Sequence, residues 1–408
     1  MAQRIALKDI CKIYDGPHAT PTKTIDGPIY LGIDAITEDG KLDSSQFAHL
    51  SEADYLKWTK RVTPQYGDIV FSYEATLGRY ALIPEEFYGC LGRRLAVIRN
   101  TSLDVDTTWL YYYFRSPEWT NFIQSKIVKG STVNRLSIED FPSYTIPKVP
   151  IESQKRIARI LSCIDKKIHD NDAVNDNLQQ MAKTIYDYWF TQFDFPDRDG
   201  KPYRSSGGPM VWDDNLKKEI PRGWVSGQLS DIANITMGQS PDGSTYNEEQ
   251  NGTVFFQGCT DFGNRFPVPR VYTTAPTRFA KAGDILMSVR APVGTLNVAL
   301  EDCCIGRGLA ALNSKFGSQL HLMYTLVMFK RHFDIMDSNG TTFGSITKDE
   351  LYEMKVVIPP AEQMEAFERT VQPIEQKIKR CELENRELTK LRNWLLPMLM
   401  NGQATVEC

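Results

Sequence analysis

Two short stretches, Cys90-Leu-Gly-Arg-Arg-Leu-Ala96 and Cys304-Ile-Gly-Arg-Gly-Leu-Ala310, set arginine beside glycine. A guanidinium presents a planar fork of donors that matches phosphate oxygens or the O6 and N7 acceptors of guanine. Arg79, Arg93, Arg94, Lys129 and Arg135 in the first half of the chain, and Arg290, Arg307 and Lys348 in the second, therefore form a candidate set for nucleic-acid contacts. Two further stretches, Gly130-Ser-Thr-Val-Asn-Arg-Leu-Ser137 and Gly340-Thr-Thr-Phe-Gly-Ser-Ile-Thr347, add Ser131, Thr132, Asn134, Thr341, Thr342 and Ser345. Their hydroxyls, amides and loop N–H groups suit a phosphate as well as they suit turn chemistry, whereas Ser137 and Thr347 read more simply as caps of short helices. An isolated surface arginine is usually a solvated charge. Recurrence beside glycines at matching places in two halves favours a shared role.

No catalytic apparatus accompanies these residues. The chain holds no GxxxxGK[ST] loop, no HExxH, no nucleophile elbow and no strand followed by GxGxxG. Asp197, Asp199 and Lys201 resemble the carboxylate and lysine set of a metal nuclease, but they crowd into a Gly- and Pro-rich segment with no strand to hold them. The histidines (His18, His49, His169, His321, His332) lack ligand spacing, and the eight cysteines are scattered, so no metal site is expected and the thiols read as reduced. A net charge of -4 excludes a wholly basic nucleic-acid coat but leaves room for local basic faces. The charged N-terminus and the lack of a long apolar run lead us to expect a cytoplasmic protein without a membrane span.

The elements that must position the candidate residues are organised around Pro150 to Phe193. Leu161, Ile164, Ile168, Leu178, Ala182, Ile185 and Trp189 follow the 3-4 spacing of a coiled-coil seam, interrupted by Asn171 and Asn175. A buried amide is costly unless it meets a partner, so such positions fix the register of a helix pair. The mate lies in the same chain. Val371, Ile374, Ile378, Asn385, Leu388 and Leu395 repeat the pattern at an offset of 210 residues (Leu161 to Val371, Asn175 to Asn385).

The preceding regions are duplicated too. Leu7-Lys-Asp-Ile10 returns as Leu229-Ser-Asp-Ile232, and Gly67-Asp-Ile-Val-Phe-Ser72 as Gly283-Asp-Ile-Leu-Met-Ser288. The expected fold is α+β: two similar globular domains separated by two long antiparallel coiled-coil helices, related by a pseudo-twofold internal repeat. The expected boundaries are a first domain over 1–149, a long helix over 150–193, a linker over 194–222, a second domain over 223–359, a second long helix over 360–401 and a tail over 402–408. Helices of about forty residues run about 60 Å, and two unlike heads on a twofold body suit DNA read at two half-sites, with the helices as a ruler. A protein scaffold that binds no DNA and a nuclease using the linker carboxylates are the competing readings; salt-dependent retention on duplex DNA separates the reader from the scaffold, and metal-dependent cutting by the isolated chain would reveal the nuclease.

Several motifs together resemble the specificity (S) subunit of type I restriction-modification systems over essentially the whole chain. They are Pro150-Ile-Glu-Ser-Gln-Lys-Arg-Ile-Ala158, Met181-Ala-Lys-Thr-Ile-Tyr-Asp-Tyr-Trp-Phe190 with Phe193-Asp-Phe-Pro196, Ser205-Ser-Gly-Gly-Pro-Met210 and Ile220-Pro-Arg-Gly-Trp224. The resemblance implies two recognition domains that each read half of a split DNA sequence in the major groove, joined by two conserved helices. It implies a subunit without chemistry or cofactor of its own. Two methyltransferase (M) subunits that use S-adenosylmethionine would bind it, and restriction (R) subunits that use ATP and Mg would join through the complex. The second long helix departs from the first after Pro360, at Met364, Phe367 and Glu368.

Overall fold

The computed structural model describes residues 3–129, 133–338 and 344–405, the side chains of residues 332 and 335–338 excepted. Ser131, Thr132, Thr341 and Thr342 lie outside the described residues. Two compact units are present, Met1–Ile168 with Glu387–Cys408, and His169–Arg386.

The first unit is built on a four-stranded antiparallel sheet in the order Cys11–Asp15, Leu95–Asn100, Ile69–Ser72, Tyr80–Leu82. A three-stranded sheet accompanies it, in which Lys23–Leu31 pairs antiparallel with Ala48–Leu50 and parallel with Gly89–Leu91. The second unit repeats both sheets. Ala233–Met237, Leu309–Ser314, Ile285–Ser288 and Leu296–Val298 form the antiparallel one. Thr253–Phe256 again takes a parallel partner, Cys303–Ile305. Ile69–Ser72 and Ile285–Ser288 are buried at every residue, which is why they read as continuous apolar runs rather than alternations.

Aromatic residues close the core of the first unit. Helices Thr107–Phe114 and Pro117–Gln124 are capped by the side chains of Asp106 and Ser116 and bury Trp109, Tyr113, Phe114 and Trp119 against Phe71 and Phe141. The expected helix after Ser137 is corrected here. Its side chain accepts from the Asp140 N–H at 3.2 Å, but the chain makes only a turn and a 3-10 segment at Phe141–Ser143, because Pro142 has no N–H to continue a helix. At the matching place Thr347 caps Lys348–Tyr352 through a reciprocal bond with Glu350.

The two long helices run over Ile151–Tyr186 and Ala361–Met400. The first ends in a π-helical turn at Asp187–Thr191, short of a helix to Phe193. In the first unit Leu161, Ile164 and Ile168 are buried, Leu388 and Leu395 are half-buried, and Leu161 shares a core with Leu396 and Leu399. In the second unit Asn175, Val371, Ile378 and Asn385 are buried, with Leu178, Ile185 and Ile374 half-buried. The asparagines meet polar partners. Asn171 Nδ2 donates to Asn385 Oδ1 at 2.9 Å, Asn385 Nδ2 to Asp172 at 2.8 Å, and Asn175 Nδ2 to Glu382 at 2.8 Å. The partner number falls as the first helix number rises, so the pair is antiparallel, and residues matched by the repeat are not the ones in contact.

A tyrosine fastens each domain to the helix that follows it. Tyr112 donates its hydroxyl to Asp165 at 2.7 Å, and Tyr324 donates to Glu375 at 2.6 Å, the same anchor in both repeats. Asp165 also accepts from Arg392 Nη1 at 2.7 Å, whereas Glu375 accepts from Arg265.

Residues 194–222 correct a second expectation, since they are more than a connector. Met210–Asp213 and Lys218–Pro221 form an antiparallel hairpin, and Phe193, Phe195, Ile220 and Trp224 are buried with Trp189, Phe190 and Phe367. Hydrophobic burial, rather than local composition, decides the structure of this segment.

Candidate nucleic-acid interface

Among the described residues, the candidates other than Lys129 and Lys348 sit on three loops that are stitched to one another in the same way in both units. The first is the turn between the third and fourth strands of the antiparallel sheet, Ser72 to Arg79 and Ser288 to Thr295. A buried serine holds it closed: Ser72 Oγ donates to the Thr76 carbonyl and accepts from the Arg79 N–H at 3.1 Å. Ser288 Oγ does the same with the Pro292 carbonyl and, at 3.0 Å, the Thr295 N–H. Gly78 and Gly294 have φ of 75° and 80°, a left-handed backbone that costs glycine nothing and other residues strain.

The second loop is the Gly-Arg stretch and the third is the strip that starts at residues 133 and 344. Tyr73 N–H donates to the Arg94 carbonyl at 3.1 Å and Val289 N–H to the Gly308 carbonyl at 2.9 Å. Leu136 N–H donates to the Tyr73 carbonyl at 2.8 Å and Ile346 N–H to the Val289 carbonyl at 2.9 Å. Bridges Glu74 to Arg135 and Arg290 to Ser345 complete the match. These bonds satisfy the buried main chain, so the frame is fixed and its outward side chains are free to differ.

On that frame Arg93, Lys129, Asn134 and Arg135 are exposed in the first unit, and Arg290, Arg307, Ser345 and Lys348 in the second. No ion pair engages Arg93, Lys129, Arg135, Arg290 or Arg307 among the described residues. The Lys348 ammonium lies 5.1 Å from the centre of the Tyr352 ring. Two arginines are committed elsewhere. Arg79 donates to the Ile36 carbonyl at 3.0 Å and to Glu38 at 3.2 Å, and Arg94 pairs with Glu74 at 3.3 Å.

The expectation of arginines at matching places therefore needs correction. Only Arg93 and Arg307 correspond; Arg79 falls opposite Thr295 and Arg94 opposite Gly308. The sequence reading also passed over Glu74, the counterpart of Arg290 at the 216-residue offset that relates Gly78 to Gly294. The offset alone reveals it, since it sets an acid in one repeat where the other holds an arginine.

Asp197, Asp199 and Lys201 form a turn in which Asp197 Oδ1 accepts the N–H groups of Asp199 and Lys201, both at 2.9 Å. Among the described residues there is no His, Cys, Asp or Glu cluster able to hold a metal, the seven cysteines are free, and no helix is long and apolar enough to cross a membrane.

Comparison with known proteins is consistent with this duplicated frame. The family model for the type I restriction modification DNA specificity domain matches twice, over residues 3–180 and 221–392. A chain of Methanocaldococcus jannaschii, provisionally named type I restriction enzyme MjaX specificity subunit, is 30% identical over 98% of this chain and 93% of its own. The type I restriction enzyme HindI specificity subunit of Haemophilus influenzae is 21% identical over 89% of this chain and 93% of its own. Among solved structures, the S subunit of a type I restriction-modification system from M. genitalium matches with a TM-score of 0.54 at 15% identity, covering 100% of this chain and 96% of that one, a likeness of fold. With both copies of the domain present and a relative of this similarity along nearly its whole length, the chain belongs to the type I restriction-modification DNA specificity family, as a non-catalytic specificity subunit.

Proposed function

We propose that the chain reads a split target in double-stranded DNA, the first domain on one half-site and the second on the other. The observation that carries this is the frame of three stitched loops, present once in each unit, with exposed arginines that make no ion pair among the described residues. Such charges suit phosphates and base edges in the major groove. The helix pair is the spacer ruler and the docking site for M subunits, two per chain to match the internal repeat. S-adenosylmethionine would then serve the M subunits, and ATP and Mg the R subunits that join through them, in the cytoplasm.

Methyladenine mapping in cells that carry the assembled system tests this directly. A split motif is expected. Removing one heptad from both helices shortens the pair by about 10 Å, close to three base pairs at 3.4 Å each, so the spacer between the halves should shorten. An unchanged spacer refutes the ruler.

A further inference from the structure

The second unit has a cleft of about 200 Å³ at the interface described above, lined by Gln257, Thr260, Ser288, Arg290 and Arg307 among others. Arg290 and Arg307 are exposed and without an ion pair among the described residues, so both can give up water to a ligand without breaking a protein contact. The strand pairing supplies the counterpart of each residue in the first unit. Phe255 faces Cys304 as Tyr30 faces Cys90, which places Gln257 opposite Gly32. The bridges place Arg290 opposite Glu74, and the repeated glycines place Arg307 opposite Arg93.

The two frames thus agree at one charged position and invert the other. An arginine shared by both units, Arg93 or Arg307, suits what both half-sites share, the phosphate backbone. A position that is arginine in one unit and glutamate in the other suits what differs, the base. In the first unit Glu74 pairs with Arg94, which fills the place with an acceptor and ties up the neighbouring donor. The second unit has Gly308 where Arg94 stands, and no ion pair engages Arg290 among the described residues.

The geometry points to Arg290 as the residue that reads a guanine in the second domain's half-site, donating to O6 and N7 in the major groove, with Arg307 as a sequence-independent phosphate contact. This inference rests on the proposed DNA-reading role. It assigns the second half-site a guanine that the first domain, with Glu74 at that place, does not require.

The test selects binding sequences from a duplex library with the assembled complex carrying wild type, Arg290→Ala, Arg290→Lys or Arg307→Ala. Wild type should select a split motif with a guanine in one half. Arg290→Ala should lose preference at that one position, leave the other half unchanged and weaken binding to the wild-type motif about 10- to 100-fold. Arg290→Lys retains the charge without the fork, so it should lose the same preference while nonspecific affinity and its salt dependence persist. Arg307→Ala should weaken all sequences alike. A wild-type complex that selects no motif overturns the DNA-reading role itself. A wild-type motif left intact by both Arg290 variants, or weakened evenly at all positions, overturns the assignment of Arg290 alone.

Discussion

Replacing Glu375 by methionine should damage the second unit more than replacing its partner Arg265. The Arg265 and Glu375 side chains are only 6% and 13% exposed, and the carboxylate accepts from both the guanidinium and the Tyr324 hydroxyl. Without Glu375 a permanent cation stays buried beside an unsatisfied phenol, at a cost of about 3–5 kcal/mol, a large share of the roughly 5–15 kcal/mol that holds a domain folded. Without Arg265 the carboxylate keeps Tyr324 and a little water, and about 1–3 kcal/mol is expected. The double variant Arg265→Met/Glu375→Met removes both charges and fills their space with apolar atoms, so it should recover at least about 2 kcal/mol over Glu375→Met. Urea unfolding of the full chain measures the free energies. Hydrogen exchange locates the change, with faster exchange expected across Gln319–Val327 and Glu368–Ile378, and none across Thr107–Phe114, where Tyr112 and Asp165 keep their own anchor. If Glu375→Met costs under about 1 kcal/mol, or if the double variant loses the sum of the singles, the buried pair does not fasten the domain to its helix.

Three further outcomes are expected. His321 is buried against Tyr186 and Phe190, and desolvation lowers its pKa from 6.5 to about 4. A lowered base is stabilising above its unfolded value, so stability should fall by about 3 kcal/mol as pH drops from about 6.5 toward about 4. A His321→Leu variant that keeps the same acid slope in urea titrations would refute this. Burial, then the nearby Asp165 and Glu375 carboxylates, holds the Tyr112 and Tyr324 phenols above the usual range. Their contribution is complete below the unfolded tyrosine value near 10 and is lost as pH rises beyond it, so part of the tyrosinate absorbance should appear only with unfolding. Asn385→Ala removes one bond each from Asn171 and Asp172, Asn171 keeping Glu384 at 2.9 Å, and should cost about 1–3 kcal/mol, whereas Asn171→Leu/Asn385→Leu should recover part of the loss by making the seam more apolar; thermal and urea unfolding distinguish the two.

Periodicity and repetition were enough to place the long helices and the duplicated α+β domains, because seam spacing and recurring Gly-Asp-Ile and Gly-Arg motifs are properties of neighbouring residues. The Asn171 and Asn175 interruptions were legible for the same reason, but their partners were not. Antiparallel contact brings Asn171 to Asn385 and Asn175 to Glu382, whereas the repeat aligns Asn175 with Asn385. The hairpin at Met210–Pro221 was hidden because the Pro- and Gly-rich stretch that leads into it reads as a loop until distant Phe367 and Trp189 bury its aromatic neighbours. At the interface, sequence supplied the basic residues and tertiary structure sorted them. Arg79 and Arg94 satisfy Ile36, Glu38 and Glu74, whereas Arg93 and Arg307 are exposed and make no ion pair among the described residues. Residue type and spacing are local and can be read along the chain; which charge meets a protein partner and which meets solvent is decided only when remote strands and loops converge.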